Sequence, residues 1–250
     1  MDRRLGIVIQ ARVGSTRLPG KALLRAGGRT LVEWVVRRAQ QATVPTRVIC
    51  ALPDTPANDT LHQLCADLRT AVVRGSENDV LSRFLLACET HALTDAVRIT
   101  GDCPLIDPGL IDRISARHLA CQADLTANRV DEPGAFPRGM DVEVARVDLL
   151  REVAREPIPA HHREHVTLHL YENPSKYAIH LIAPAAAECR PELRLCVDQA
   201  EDLELVRAIV DHFGDRSDFS LLEIIAFLDA SPTVAHLNDR FKSYASGVSR

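Results

Sequence analysis

The sequence predicts an α/β fold: a mostly parallel sheet with helices on both faces. Short β-branched apolar runs alternate with amphipathic stretches, and four times in succession a strand-like run feeds a helix-like one. Apolar residues make up 46% of the 250 residues, enough for a real core and too many for a disordered chain. Parallel strands need crossover connections, and helices placed in those crossovers cover the sheet faces.

LGIVIQ (5–10) reads as the first strand and TLVEWVVRRAQQA (30–42) as its helix, with Thr30 as N-cap. RVICAL (47–52) is followed by NDTLHQLCADL (58–68), with Asn58 or Asp59 near the helix start. TAVVRG (70–75) leads to NDVLSRFLLACETH (78–91). AVRIT (96–100) leads to DPGLIDRISARHLA (107–120), where Asp107 caps and Pro108 takes the first helical position. The second half changes character. ADLTANR (123–129) and MDVEVARV (140–147) read as strands flanking a loop, and VDLLREVARE (147–156) and HREHVTLHLYE (162–172) as helices. KYAIHLIAP (176–184) and LRLCVD (193–198) read as strands, and QAEDLELVRAIVDHF (199–213) and FSLLEIIAFLDA (219–230) as helices. The polar tail from Ser231 reads as poorly ordered. No Gly/Ser/Pro linker divides the chain, so a single domain over 1–250 is expected, with residues 129–180 an elaboration that covers a site or pairs with a second subunit.

The net charge of −4 and the scarcity of aromatics (six Phe, three Tyr, one Trp) argue against a nucleic-acid partner. MDRRLG runs straight into a strand with no signal-peptide core, and no stretch is long enough to span a bilayer, so neither membrane nor export is expected. The seven cysteines are odd in number and show no zinc-like spacing. Most sit in apolar runs as small core residues, which fits a reducing cytoplasm; Cys103 lies among functional-looking neighbours but reads as structural too.

In open α/β sheets ligands bind outside the carboxyl ends of the strands, so chemistry-bearing residues should follow the strands. After the first comes ARVGSTRLPGK (11–21), with Arg12, Arg17, Lys21, two glycines and no acid. Such a segment is an anion nest with charge-assisted donors, or an exposed basic turn; it matches neither GxxxxGK[ST] nor GxGxxG. After the fourth comes TGDCPLID (100–107), where Asp102 is a strand-end metal carboxylate or an ordinary turn residue. After LRLCV comes Asp198, a metal ligand or a helix N-cap with Glu201 completing a capping box. Together these features suit Mg²⁺-dependent nucleotide chemistry, in which the loop takes the phosphates and the acids hold the cation.

The segment IQARVGSTRLPGK resembles the opening signature of the cytidylyltransferases that activate sugar acids, such as CMP-KDO and CMP-acylneuraminate synthetases. RGSENDVLSRF, RITGDCPLIDP, PRGMDVEV, REHVT and LCVDQAEDLELV are similar to the spore-coat polysaccharide biosynthesis protein F branch of that group, so the likeness runs from residue 5 to about residue 213. The resemblance implies a Rossmann-like nucleotidyltransferase (GT-A-like) three-layer sandwich with a mixed sheet. It implies a cytoplasmic homodimer that transfers CMP from CTP to a small anionic acceptor and releases pyrophosphate, with Mg²⁺ as cofactor, in surface-polysaccharide precursor synthesis.

Carried over by position, Arg12, Gly14, Ser15, Arg17 and Lys21 match the triphosphate loop, with Arg12, Lys21 and Asp102 as the catalytic set. Asp102 and Asp198 match the metal aspartates. Gly75, Ser76, Glu77 and Asp79 fall where the family closes around the nucleoside, and backbone atoms near Gln10 and Ala11 would read the base. The acceptor residues of the sugar-acid enzymes have no match here. In their place stand Arg138 and the HHREHVT segment (161–167) with His165, which suit an anionic acceptor or a subunit contact. HHREH is not HExxH, so zinc-protease chemistry is not expected. Two other readings stand beside this one. A nucleotide-sugar glycosyltransferase shares the sheet but usually carries a DxD motif, whereas GDCP has one acid; a non-catalytic nucleotide-binding subunit would retain the pocket without turnover.

Overall fold

A computed structural model describes residues 3–128 and 134–240. Its first half is four strand–helix units: β1 (Leu5–Gln10), a small hairpin β2 (Arg25–Ala26) and β3 (Arg29–Thr30), α1 (Leu31–Ala39), β4 (Val48–Pro53), α2 (Asp59–Asp67), β5 (Ala71–Gly75), α3 (Val80–Thr90), β6 (Asp95–Thr100) and α4 (Pro108–Ala120). The second half adds β7 (Leu125–Asn128), β8 (Glu143–Arg146), α5 (Val147–Arg155), α6 (Ala160–His165), α7 (Leu168–Glu172), β9 (Ile179–Ile182), α8 (Ala200–Phe213), α9 (Leu221–Ala230) and α10 (Pro232–Ala235).

Strands from both halves share one seven-stranded sheet of order β5-β4-β1-β6-β8-β7-β9. All pairs are parallel except those that β8 makes with β6 and β7. The fold is thus the mostly parallel, mixed α/β sandwich expected. The strand order reverses between β1 and β6, and a ligand crevice belongs outside the carboxyl ends of those two strands. There the Gly101 N–H donates to the Gln10 carbonyl at 2.8 Å. A methyl on Gly101 would lie 2.8 Å from the Ala11 methyl, so glycine is what lets the two strand ends close up.

Alternation along the strands builds two cores. Ile7 and Ile9 of β1 join Val97 and Ile99 of β6 on one face, under the apolar sides of α1, α4, α8 and α9. Val8 and Ala96 point the other way, into a smaller core with Phe84 of α3 and Leu150 of α5. Trp34 is fully buried and gives its indole N–H to the Ala26 carbonyl at 2.9 Å. Arg38 is buried as well and splints three segments, donating to the carbonyls of Ile106, Ser217 and Phe219 at 2.8 Å each.

The start signals held where the cap chemistry was complete. Thr30 and Glu33 form a capping box on α1, and Asp107 caps α4 ahead of Pro108. Elsewhere the structure corrects the sequence reading. Among the described residues, 193–198 form no ladder: they bond to Arg138 and Asp102 and make one isolated bridge. The stretch 162–172 is not one helix, because Val166 at φ 56° breaks it into α6 and α7. Asp198 does not cap α8 and Glu201 completes no box; the cap position is Gln199, and the Asp202 carboxylate accepts the N–H of both Asp198 and Gln199. The expected disordered tail is packed as far as Arg240, with α10 on the body and Asn238 fully buried. The β2–β3 hairpin was not foreseen, although Gly27-Gly28, both at positive φ, carry its signal. Of the 129–180 elaboration, β8 and β9 belong to the main sheet; residues 129–133 lie outside the described residues. Among the described residues no helix is long and apolar enough to cross a membrane.

Candidate active site

The loop after β1 folds back across the β1/β6 crevice, and a short helical turn at Lys21–Leu23 begins after Gly20, which takes φ 68°. That turn aims the Lys21 ammonium between two acids. Its Nζ lies 2.9 Å from Asp102 Oδ2, 2.9 Å from Asp198 Oδ1 and 3.0 Å from the Val197 carbonyl, so all three of its N–H bonds are engaged. Asp102 follows β6 by two residues, and the Val197 N–H donates to the Asp102 carbonyl at 2.8 Å, which docks the second acid's strand on the first. Arg17 reaches in from the solvent side to Asp198 Oδ1 at 2.8 Å.

Asp198 is anchored from behind. Arg194 donates to its Oδ2 at 2.7 Å and to Asp202 Oδ1 at 3.1 Å, and Asn238 gives its amide N–H to the same Asp202 oxygen at 2.8 Å. Asn238 and Asp202 therefore hold Arg194, and Arg194 holds the Asp198 carboxylate. The charges set the protonation states. Burial pulls the Lys21 ammonium toward neutrality, but Asp102 and Asp198 outweigh it and hold its pKa above the usual lysine value. Burial likewise pushes both aspartates up, and Lys21, with Arg17 and Arg194 beside Asp198, brings them below the usual carboxylate value. The centre is ionised throughout the neutral range: two carboxylates sharing one cation. Cys103 next to them stays a thiol, because burial pushes it well above its ordinary value; its Sγ lies 3.2 Å from Thr100 Oγ1.

A divalent cation fits this set. Both carboxylates offer hard oxygens, and a cation already sits at the point they share. The Lys21 ammonium occupies that point, so a metal bound there would compete with Lys21 for one place.

The remaining loop residues divide. Val13 is held by its N–H to Asn58 Oδ1 at 3.0 Å, and Ser15 Oγ accepts the Leu18 N–H at 3.4 Å. A methyl on Gly14 would lie 3.8 Å from Glu77 Oε1, so the loops after β1 and β5 face each other. Arg12 leans away from the aspartates, toward Glu164 of α6 at 3.7 Å. In the loop after β5, Gly75 packs on Arg83 and Ser76 Oγ accepts the Asp79 N–H at 3.0 Å. Asp79 is doubly used: Oδ1 caps α3 at the Ser82 N–H, and Oδ2 takes Arg163 at 2.6 Å. Its carboxylate is structural in this state. Burial, then the facing Arg12, lowers Arg83 to about 10.

On the opposite face of β1 and β6 a second polar group gathers. Arg98 donates to Gln10 Oε1 and, at 2.6 Å, to Glu143 Oε2, which also accepts from Thr167 Oγ1 at 2.8 Å. The His165 ring is pushed below its usual value by desolvation and by Arg98. Arg138 joins the aspartate side through its backbone, accepting from the Leu195 N–H at 2.7 Å and donating to the Leu193 carbonyl at 3.1 Å. His165 and Arg138 thus belong to different flanks of the crevice.

Sequence reading missed Asn58, Arg98, Glu143, Arg194 and Asp202. Arg98 and Arg194 had a signal: each is a lone arginine inside an apolar run, where burial demands a partner. Asn58 had none beyond its helix-start position. A cavity of about 500 Å³ lined by Arg3, Asp95, Cys121 and Arg146 lies at the other end of β6, away from this chemistry.

Comparison with known proteins agrees with the geometry. The sequence matches the cytidylyltransferase family profile over residues 6–224. It is 33% identical to the spore coat polysaccharide biosynthesis protein SpsF of Bacillus subtilis (strain 168), over 91% of this chain and 95% of that one. It is 30% identical to the 3-deoxy-manno-octulosonate cytidylyltransferase of Polynucleobacter asymbioticus, over 81% and 82% of the two chains. The fold superposes on a cytidylyltransferase from Leptospira borgpetersenii serovar Hardjo-bovis with a TM-score of 0.87 at 29% identity, covering 94% of this chain and 97% of the other.

Proposed function

Since the chain belongs to the cytidylyltransferase family and is a CTP-dependent nucleotidyltransferase, we propose that it transfers CMP from CTP to a small anionic acceptor, a sugar acid or related acidic sugar, with Mg²⁺ as cofactor. The observation that carries this reading is the Lys21 ammonium shared by Asp102 and Asp198 at the β1/β6 switch point. The names of the two curated relatives, one in spore-coat polysaccharide synthesis and one acting on a sugar acid, point to glycan precursors as the setting.

In this reading an acceptor oxygen attacks the α-phosphorus of CTP, a P–O bond forms to CMP, and the bond to the β-phosphate breaks to release pyrophosphate. The protein supplies no covalent nucleophile; it positions and neutralises. Backbone N–H groups around Gly14, with Ser15, Arg12, Arg17 and Lys21, hold the triphosphate. When nucleotide enters, the ammonium of Lys21 leaves the aspartates for the phosphate oxygens, so a cation is freed for the leaving group just as the acids are freed for metal. Asp102 and Asp198 would hold Mg²⁺, which neutralises charge on the phosphates when bound. Gln10, Ala11 and the loop from Gly75 through Ser76 and Glu77 to Asp79 enclose the cytidine. Arg138 and His165, on the two flanks, serve the acceptor's acid group. Positioning of this kind supplies roughly 7–11 kcal/mol in favourable cases. We further propose one catalytic domain, working as a homodimer in which the 129–180 elaboration covers the site or pairs with its partner.

Pyrophosphate release tests the reading. The four nucleoside triphosphates are each incubated with acidic sugars, with Mg²⁺ or with chelator. CTP- and Mg²⁺-dependent release on at least one acidic acceptor is expected. Release from a nucleotide sugar instead, or CTP binding with no turnover on any acceptor, overturns it.

A further inference from the structure

We propose that His161, His162 and Glu172 form a second metal site, separate from the aspartate pair, that takes a borderline divalent ion of the Zn²⁺ class and clips α6 to α7. One donor atom from each of the three side chains lies within 4.8 Å of the others. They come from two helices, His161 and His162 from the first turn of α6 and Glu172 from the end of α7, brought together by the break at Val166.

The donor set chooses the ion. Two imidazoles and one carboxylate suit zinc, whereas Mg²⁺ prefers the all-oxygen pair of Asp102 and Asp198. Three protein ligands leave a fourth position for water. His162 Nε2 and Glu172 Oε2 already meet at 2.8 Å, a hydrogen bond that an ion would replace. His161 and Glu172 are exposed, which gives an entry path, while His162 is buried.

Behind the buried ligand stands the support that metal-bound histidines usually have. With His162 ligating through Nε2, its Nδ1 carries the proton and meets His169 Nδ1 at 3.3 Å. That leaves the His169 proton on Nε2, 3.8 Å from Glu156 Oε2. His169 is buried, and this Nε2 has no hydrogen-bond partner among the described residues. His169 thus backs the buried ligand: its Nδ1 can accept from His162 Nδ1, the arrangement that turns the unprotonated His162 Nε2 to an ion. The clip acts on a useful helix: α6 also carries Arg163, bound to Asp79, and Glu164, paired with Arg12, so it spans the loops after β1 and β5.

The test uses the full chain, stripped with chelator and held in excess Mg²⁺ so that the oxygen site is filled. Zn²⁺ is titrated calorimetrically, and Co²⁺ by its visible absorption. One equivalent of Zn²⁺, intense four-coordinate Co²⁺ bands and a Zn²⁺-dependent rise in Tm are expected. Glu172→Gln and His161→Ala, both at exposed positions and therefore expected to fold, should each weaken Zn²⁺ at least about tenfold; His169→Gln should weaken it by about ten- to a hundredfold through the ligand it supports. Zn²⁺ bound with unchanged affinity in the Glu172 and His161 variants, displacement of Zn²⁺ by Mg²⁺, or only pale six-coordinate Co²⁺ overturns the proposal.

Discussion

Lys21 and Asp198, 177 positions apart in the chain, stand 2.9 Å apart in the fold. The contact makes a basic loop and a late acid into one centre, and it places a cation at the point where the proposed metal would bind. Three predictions concern this centre and the segments that hold it, and one the far end of β6.

Removing a charge from the centre that Lys21 forms with Asp102 and Asp198 should cost turnover and spare the fold. Lys21→Ala and Asp102→Asn are each expected to lower kcat by about 10²–10³-fold, the scale of losing one charge-stabilising donor. Lys21→Ala should still bind Mn²⁺, at least as tightly as the parent, because the competing ammonium is gone; Asp102→Asn should not. Pyrophosphate release, Mn²⁺ titration by EPR and a thermal melt separate these effects. Wild-type turnover in either variant contradicts the site assignment.

Asp202 should matter to stability before it matters to chemistry. It accepts from Arg194, Asn238 and two backbone N–H groups and is fully buried. Asp202→Ala removes one of the two carboxylates that Arg194 pairs with and leaves the Asn238 amide and two backbone N–H groups without their acceptor, which is expected to cost about 3–5 kcal/mol. For a chain of this size that lowers Tm on the order of 10 °C. A melt within two degrees or so of the parent would show that the network is not holding Asp198 in place.

The acid limb of stability should trace to Asp95. Burial acts to raise its carboxyl, but hydrogen bonds from His118, Arg3 and Thr94 hold it well below the usual carboxylate range. Its folded pKa therefore lies below the unfolded value of about 3.9. The stabilisation is complete above that value and is lost as pH falls from there toward the folded pKa. Asp95→Asn should be less stable than the parent at neutral pH and should show a shallower loss between about pH 5 and 3. Urea midpoints across that range give the comparison; parallel curves would rule the assignment out.

Gly139 should tolerate no side chain. It sits at φ 96°, and a methyl there would lie 2.5 Å from the Cys196 nitrogen and 2.6 Å from the Leu195 carbonyl carbon. Both are backbone atoms of the segment that ends in Asp198, so neither can swing away. Gly139→Ala should lower Tm and turnover together, since it pries the 137–140 turn off residues 193–197. Loss of activity with an unchanged melt would argue instead for a direct role of the neighbouring Arg138.

The sequence by itself determined much of this protein. Short β-branched apolar runs, each feeding a helix, specified the parallel half of the sheet, because a continuous apolar run suits a strand buried on both faces. Thr30 and Asp107 marked their helix starts because a cap is a local contact, complete within three residues. The basic loop, Asp102 and Asp198 were legible as separate strand-end features, and the sheet rule drew them to one edge. Only the tertiary structure decided how they meet. Nothing in the string tells Asp198 from a helix cap; Asp202 displaces it from that task, Arg194 four residues back takes one of its oxygens, and Lys21 and Arg17 claim the other from places remote in sequence. The same holds for the break at Val166, whose left-handed φ no β-branched residue adopts unless surrounding packing imposes it. Hydrophobic period and capping act within a few residues and can be read off a string. Charge pairing and strain are settled between segments, and exist only once the chain has closed.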